Sequence, residues 1–203
     1  MSESQPANKS WCGTVPSTQA IERASKIKLL LMDVDSVLTD GKVYYVPQAD
    51  GKNYETKGFD SHDGLGLHFL RDANIESGFI SGRESQAVIQ RASNMHVKYV
   101  RQGSMEKEKV YQDILSQCGF AEEQIAYIGD DFPDIPVLKR VGLACVVANA
   151  RAEVKPHAHF ITQAQGGQGA AREVIELILK AQDKWQSVIS KYAESLSRSA
   201  SSR

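Results

Sequence analysis

The residues best placed to do chemistry are carboxylates that cluster where apolar runs end. Asp33 and Asp35 stand two apart in DVDSVLTDG (residues 33–41), directly after the run Ile27–Met32, and Asp40 follows. A second cluster, GDDFPD (residues 129–134), follows Ile125–Ile128 and brings Asp130 and Asp134. A lone acid at such a place is usually a turn former or a helix cap. Two acidic clusters at two strand ends are a different case, because their charges repel unless a hard cation such as Mg²⁺ neutralises them. Two further places offer complementary groups. Ser81-Gly82-Arg83 follows Ile75–Ile80 and sets a hydroxyl and free N–H groups at the approach to a helix. That suits a phosphate oxygen, and equally a plain serine cap. Lys107 lies near a helix start beside Glu106, Glu108 and Lys109, a charge run that is ordinarily solvated. Gly166-Gly167-Gln168-Gly169 could approach an anion closely, although glycine-rich turns are common.

These groups need a scaffold, and the pattern between them supplies one. Continuous apolar runs occur at Ile27–Met32, Ile75–Ile80, Val97–Val100, Ile125–Ile128, Leu143–Val147 and His159–Thr162, as expected of strands covered on both faces. Amphipathic stretches separate them: Leu65–Ala73, Glu84–Ser93, Glu106–Cys118 and Ile135–Val141. Ala171, Val174, Ile175, Ile178, Trp185, Val188 and Ile189 form one stripe and predict one last helix. The alternation predicts an α/β fold with a doubly wound parallel sheet, whose site lies at the carboxyl ends of the strands. One segment departs from it. Residues 42–60 hold two β-prone runs around Gln48-Ala49-Asp50-Gly51, a hairpin signal. An exposed hairpin is an edge that oligomerisation can cover.

Composition narrows the field further. The chain has 203 residues, 24 basic against 25 acidic, for a net charge of −1. That balance argues against a broad nucleic-acid or polybasic membrane footprint. Its longest apolar runs fall far short of the ~20 residues of a membrane span. No secretory pattern is visible in the first thirty residues. Three widely spaced cysteines fit reduced thiols in a cytoplasm better than a disulfide framework. Residues 1–19 and the Ser-rich stretch 193–203 are too polar to offset their ordering entropy, so a mobile segment and a disordered tail are expected around a domain at 20–192.

DVDSVLTDG, Ser81-Gly82-Arg83, Lys107 and GDDFPD match, in order, the four motifs of the haloacid dehalogenase superfamily of phosphohydrolases. The match spans nearly all of Ile27–Lys184. TDG after the first motif, the hairpin in place of a cap, HDGLG at 62–66, QG before the lysine segment and GGQGAAREV at 166–174 add detail. With these the chain most resembles the capless branch, the 3-deoxy-D-manno-octulosonate 8-phosphate phosphatases of lipopolysaccharide precursor synthesis. The resemblance implies Asp33 as nucleophile, forming an aspartyl-phosphate, and Asp35 as general acid and then base. It implies Ser81 and Lys107 on the phosphoryl oxygens, with Gly82 and Arg83 in the substrate site. Mg²⁺ would be held by Asp33, the Asp35 carbonyl and Asp130, with Asp134 supporting Lys107 or the metal shell. Arg91 would reach a neighbouring subunit's substrate in a homotetramer. The substrate would be a phosphorylated sugar acid.

Two alternatives stay open at this point: a nonulosonate 9-phosphate phosphatase of the sialic-acid type, and a non-catalytic oligomerisation module of the same fold. Arg83 speaks against the first, since the nine-carbon type tends to carry Glu there. Intact Asp33, Asp35, Lys107 and Asp130 speak against the second. Ser36 stands where close relatives usually have glycine; if its backbone requires φ > 0, it costs about 1 kcal/mol or more.

Overall fold

The apolar runs become the strands of one sheet. A computed structural model describes Trp11 and residues 15–200, with side chains as far as residue 193. The chain enters through α1 (Thr18–Ala24), where the Ser17 hydroxyl accepts from the Ala20 N–H at 3.1 Å. It then runs into β1 (Leu29–Met32), buried along its whole length. A separate antiparallel ribbon follows, β2 (Tyr44–Pro47) and β3 (Asn53–Thr56). Next come α2 (Ser61–Asp72), β4 (Glu76–Ile80), α3 (Gln86–Asn94), β5 (Tyr99–Arg101), α4 (Lys107–Cys118) and β6 (Ile125–Gly129). A short α5 (Ile135–Leu138), β7 (Leu143–Val146), β8 (Phe160–Ile161), α6 (Ala170–Ala181) and α7 (Trp185–Ala200) complete it.

The main sheet has the order β5-β4-β1-β6-β7-β8, and every pairing in it is parallel. All six expected runs are in it, and the doubly wound α/β class holds. The chain leaves β1 toward β4 and β5 on one side, then returns to β6 on the other. The winding reverses at β1, and a crevice opens there at the carboxyl edge of the sheet. That is where Asp33 stands.

The expected single last helix is two helices. Asp183 adopts φ 57°, and the Lys184 N–H reaches back to the Leu179 carbonyl at 2.9 Å. This six-residue closure with a left-handed residue ends α6 and redirects the chain. The stripe survives the break because α7 docks on α2: the Trp185 and Tyr192 rings meet Phe69 edge-on at 5.9 and 5.2 Å. Helix α7 also runs through Ala200, into the stretch expected to be disordered. Propagating a helix from a packed first turn is easier than starting one, so a polar continuation follows it. Residues 201–203 lie outside the described residues, as do 1–10 and 12–14. Within the expected mobile segment, Trp11 packs on the core with Lys180 5.8 Å from its ring centre, and Pro16 is buried. One aromatic anchor was hidden in a polar average.

The loop after β1 is held from the far end of the chain. Ser36 is left-handed at φ 63°, the strained geometry its replacement of glycine suggested. The glycine run at 166–169 closes on this loop. The Gly167 N–H donates to the Val37 carbonyl at 2.9 Å. A Cβ on Gly166 would fall 1.5 Å from the Ser36 carbonyl oxygen, so no other residue fits there. Gly166 and Gly167 thus serve close backbone packing.

Candidate active site

Asp33 extends the central ladder by one bond, its N–H donating to the Ile128 carbonyl at 3.0 Å before the chain turns away. Its Oδ1 accepts from the Val34 N–H at 2.7 Å. Oδ2 faces Lys107 Nζ at 2.9 Å. Lys107 is the first residue of α4 and is only 4% exposed. A cation at a helix N-terminus opposes the helix dipole, and burial adds a desolvation cost. Two carboxylates offset both, for Asp134 Oδ1 lies 2.5 Å from the same ammonium. Burial alone would lower the Lys107 pKa, yet Asp33 and Asp134 raise it above the ordinary lysine value. Lys107 is therefore a fixed cation, not part of a solvated run.

Asp134 is fully buried and fully occupied. Oδ1 accepts from Lys107 and from the Tyr127 hydroxyl at 2.6 Å; Oδ2 accepts from the N–H groups of Asp130 and Asp131 at 2.9 and 3.1 Å. Asp33, Asp130 and Asp134 place carboxylate oxygens within 4.8 Å of one another. With four hydrogen bonds already accepted, Asp134 has no lone pair directed elsewhere. Asp33 and Asp130 are the carboxylates left to face an ion. Burial pushes the Asp33 pKa up to about 6 against the pull of Lys107. Burial, then repulsion from Asp33 and Asp134, pushes Asp130 up to about 8. Two hard oxygen donors in mutual repulsion fit a small divalent cation such as Mg²⁺.

Ser81 continues β4, its N–H donating to the Arg101 carbonyl at 2.9 Å. Because Phe79 pairs with Met32, Ser81 emerges on the same rim as Asp33. It is not a helix cap, since Ser85 holds that position for α3. Its hydroxyl instead accepts from the Arg83 N–H at 3.2 Å, closing a tight turn through Gly82. The Arg83 guanidinium lies 3.6 Å from Glu55 of the hairpin. Arg91 is engaged elsewhere: Nη2 donates to the Asp60 carbonyl at 2.8 Å, and the guanidinium sits 5.4 Å from the Phe59 ring centre. It stands at the foot of the hairpin, apart from the carboxylate cluster. Asp40 takes the ordinary role of a turn former, accepting from the Lys42 N–H at 3.0 Å.

Two site residues escaped the sequence reading. Lys57 Nζ lies 2.5 Å from Asp35 Oδ1 and 3.4 Å from Glu55 Oε1. Both new residues follow the Asp-Gly turn, Glu55 within β3 and Lys57 one residue beyond its end, on the same face by period two. A Glu-x-Lys pair alternating with Tyr54 and Thr56 was the available signal, hidden among charges that normally face water.

Residues 67–174, more than half of the chain, match the haloacid dehalogenase-like hydrolase family. The 3-deoxy-D-manno-octulosonate 8-phosphate phosphatase of Yersinia pestis is 41% identical over 164 residues, covering 81% of this chain and 86% of that protein. The chain belongs to the haloacid dehalogenase-like hydrolases. The enzyme of the same name from Escherichia coli K12 is 36% identical over 88% of this hydrolase and 93% of its own length. The Moraxella catarrhalis 3-deoxy-D-manno-octulosonate 8-phosphate phosphatase, solved with a magnesium ion, a phosphate ion and a KDO molecule, superposes with a TM-score of 0.80. That structure is 36% identical and covers 86% of this hydrolase and 98% of its own chain.

The raised carboxylates carry a stability consequence. Above pH 3.8 the unfolded chain loses protons that folded Asp33 and Asp130 keep, so these groups make stability fall as pH rises through about 6 and about 8. In EDTA, Asp130→Asn should therefore melt higher than wild type, by ~2–4 °C for each kcal/mol relieved, with the gap widening from pH 6 to pH 9. Mg²⁺ should close the gap by stabilising the wild type alone. Scanning calorimetry at several pH values, with and without Mg²⁺, checks this; a gap that shrinks with pH would contradict it.

Proposed function

We propose that this hydrolase is a Mg²⁺-dependent phosphatase acting on 3-deoxy-D-manno-octulosonate 8-phosphate, the reaction that yields the free sugar acid for lipopolysaccharide precursors. The observation that carries the reading is Lys107 held between Asp33 and Asp134 with Asp130 beside them. It suits a transferring phosphoryl group, whose charge must be met by fixed cations. The named relatives support the substrate. The described cysteines, Cys118 and Cys145, are free thiols, which suits a cytoplasmic setting.

In the first half-reaction Asp33 attacks phosphorus and the bond to the sugar oxygen breaks, while Asp35 gives that oxygen a proton. In the second, Asp35 takes a proton from water, which attacks the aspartyl-phosphate and frees Asp33 and phosphate. Asp33, the Asp35 carbonyl and Asp130 would hold Mg²⁺, which when bound neutralises phosphoryl charge. Ser81 and the Gly82 N–H would take phosphoryl oxygens opposite Lys107, and Arg83 would pair with the sugar carboxylate. Asp134 serves by fixing Lys107.

Asp33→Asn should abolish phosphate release without loss of fold, and Asp35→Asn should slow it by the ~10²–10⁴ typical of acid–base loss. EDTA should silence the wild type and Mg²⁺ restore it. Full activity in Asp33→Asn, read as phosphate release, would overturn the covalent route. Arg83→Glu should lose far more activity on octulosonate 8-phosphate than on a neutral aryl phosphate. Equal losses would assign Arg83 to the fold or the phosphoryl group, and a wild-type preference for a nonulosonate 9-phosphate would redirect the substrate.

The same reading includes a homotetramer. Tyr44, Val46 and Tyr54 share one hairpin face and are each about half exposed, an apolar surface that packing between copies would cover. Arg91, at the hairpin foot, would then line a neighbour's site. Light scattering should report four chains. Mixing Asp33→Asn with Arg91→Ala chains under subunit exchange should regain activity, because some sites combine both intact residues. An active monomer, or no recovery despite exchange, would refute the shared site.

A further inference from the structure

The carboxylate assigned to proton transfer has a buried partner that the mechanism above does not use. Asp35 Oδ1 lies 2.5 Å from Lys57 Nζ, and Lys57 also faces Glu55 Oε1 at 3.4 Å. Glu55 Oε2 in turn lies 3.6 Å from Arg83. The Lys57 side chain is wholly buried, while that of Asp35 is 24% exposed. A lysine taken out of water is costly unless closely paired, so its seat between two carboxylates is a built feature. The two partners come from different parts of the fold: Asp35 from the loop after β1, and Lys57 from the end of the hairpin, 22 residues on. Asp35 also precedes the strained Ser36 in a loop with no ladder of its own, so its side chain needs an external hold.

We propose that Lys57 is a positioning residue for this reaction: it fixes Asp35 through Oδ1, leaves Oδ2 to face the leaving oxygen and then water, and is itself steadied by Glu55. The hairpin thereby takes part in catalysis from within its own chain. This rests on the acid–base role of Asp35 proposed above. The proton balance is unchanged, since Lys57 neither gives nor receives one. Misplacing a catalytic group by about 1 Å can cost ~10²-fold, so loss of the hold should be measurable.

The readout is leaving-group dependence. A general acid matters most when the leaving oxygen is strongly basic, and kcat/KM reports the steps up to the first phosphoryl transfer. The experiment uses the full chain with Mg²⁺ and compares p-nitrophenyl phosphate, phenyl phosphate and octulosonate 8-phosphate across wild type, Lys57→Met, Lys57→Arg and Asp35→Asn. Lys57→Met should lose no more than about threefold on p-nitrophenyl phosphate and about tenfold or more on phenyl phosphate and the sugar phosphate, in proportion to weakened acid catalysis. Lys57→Arg should recover part of the loss. Adding Lys57→Met to Asp35→Asn should cost little more, because the two act as one unit. Glu55→Gln gives a second test should Lys57→Met melt early, with a smaller steepening in the same direction. Equal losses on all three substrates would overturn the proposal in favour of a purely structural anchor. A loss on the sugar acid alone would overturn it in favour of a direct substrate contact. A flat dependence in Asp35→Asn as well would sink the acid assignment itself, whereas a steep one there with a flat Lys57→Met would sink only the positioning role.

Discussion

The mouth of the sheet is organised around one buried cation. Lys107 lies against both Asp33 and Asp134, and the buried carboxylates around it would be left without a counter-charge in its absence, a gain that outweighs its unfavourable seat at the start of a helix. Asp134 is the fulcrum, because every hydrogen bond it accepts orients something else: the ammonium, the Tyr127 hydroxyl, and the backbone that presents Asp130. Charge compensation stops there. Asp33 and Asp130 hold their protons more tightly than ordinary carboxylates, chiefly because both are buried, with Asp134 repelling each of them and Asp33 also repelling Asp130. The fold thus carries a local instability that a hard cation relieves, which is the usual bargain at a metal site between affinity and apo stability.

The hairpin divides its labour by face. Tyr44, Val46 and Tyr54 lie on one side, while Tyr45 and Glu55 pair across the other, which continues to Lys57. The apolar side is turned to water in a single chain, and on the other side Tyr45 is exposed while Lys57, beside Glu55, reaches the loop of Asp35. A strand alternates by geometry, so one short ribbon can present an apolar surface and brace the loop of Asp35 at once.

Much of this was legible in the sequence, and the exceptions have physical causes. Continuous apolar runs marked all six sheet strands; the central ones are covered on both faces, whereas the edge strand β8 leaves Ile161 exposed. Asp33, Asp130 and Ser81 were legible as strand-end residues. The break at Asp183 was not, because an apolar stripe continues through it and only a left-handed residue interrupts the helix. Lys107 looked like one of several solvated charges, since burial of a lysine depends on partners distant in sequence. Lys57 and Glu55 were missed for the same reason, each owing its place to residues on another element. The glycine run was noticed for its composition, but its use, backbone packed on backbone, depends on the turn at Ser36.

That last contact bears on how the molecule is made. The loop bearing Asp33 and Asp35 is among the first parts of the domain to leave the ribosome, while its buttress at Gly166 and Gly167 is among the last. The central position of β1 likewise waits for β6. Until some 130 further residues have emerged, the left-handed turn at Ser36 has only its local bonds to the Val34 carbonyl, from the N–H groups of Val37, Leu38 and Thr39, to hold it. The loop of Asp33 and Asp35 is therefore synthesised early and shaped late, and a chain truncated before residue 166 keeps Asp33, Asp35, Asp130 and Asp134 while lacking the backbone contact that buttresses the loop of the first two.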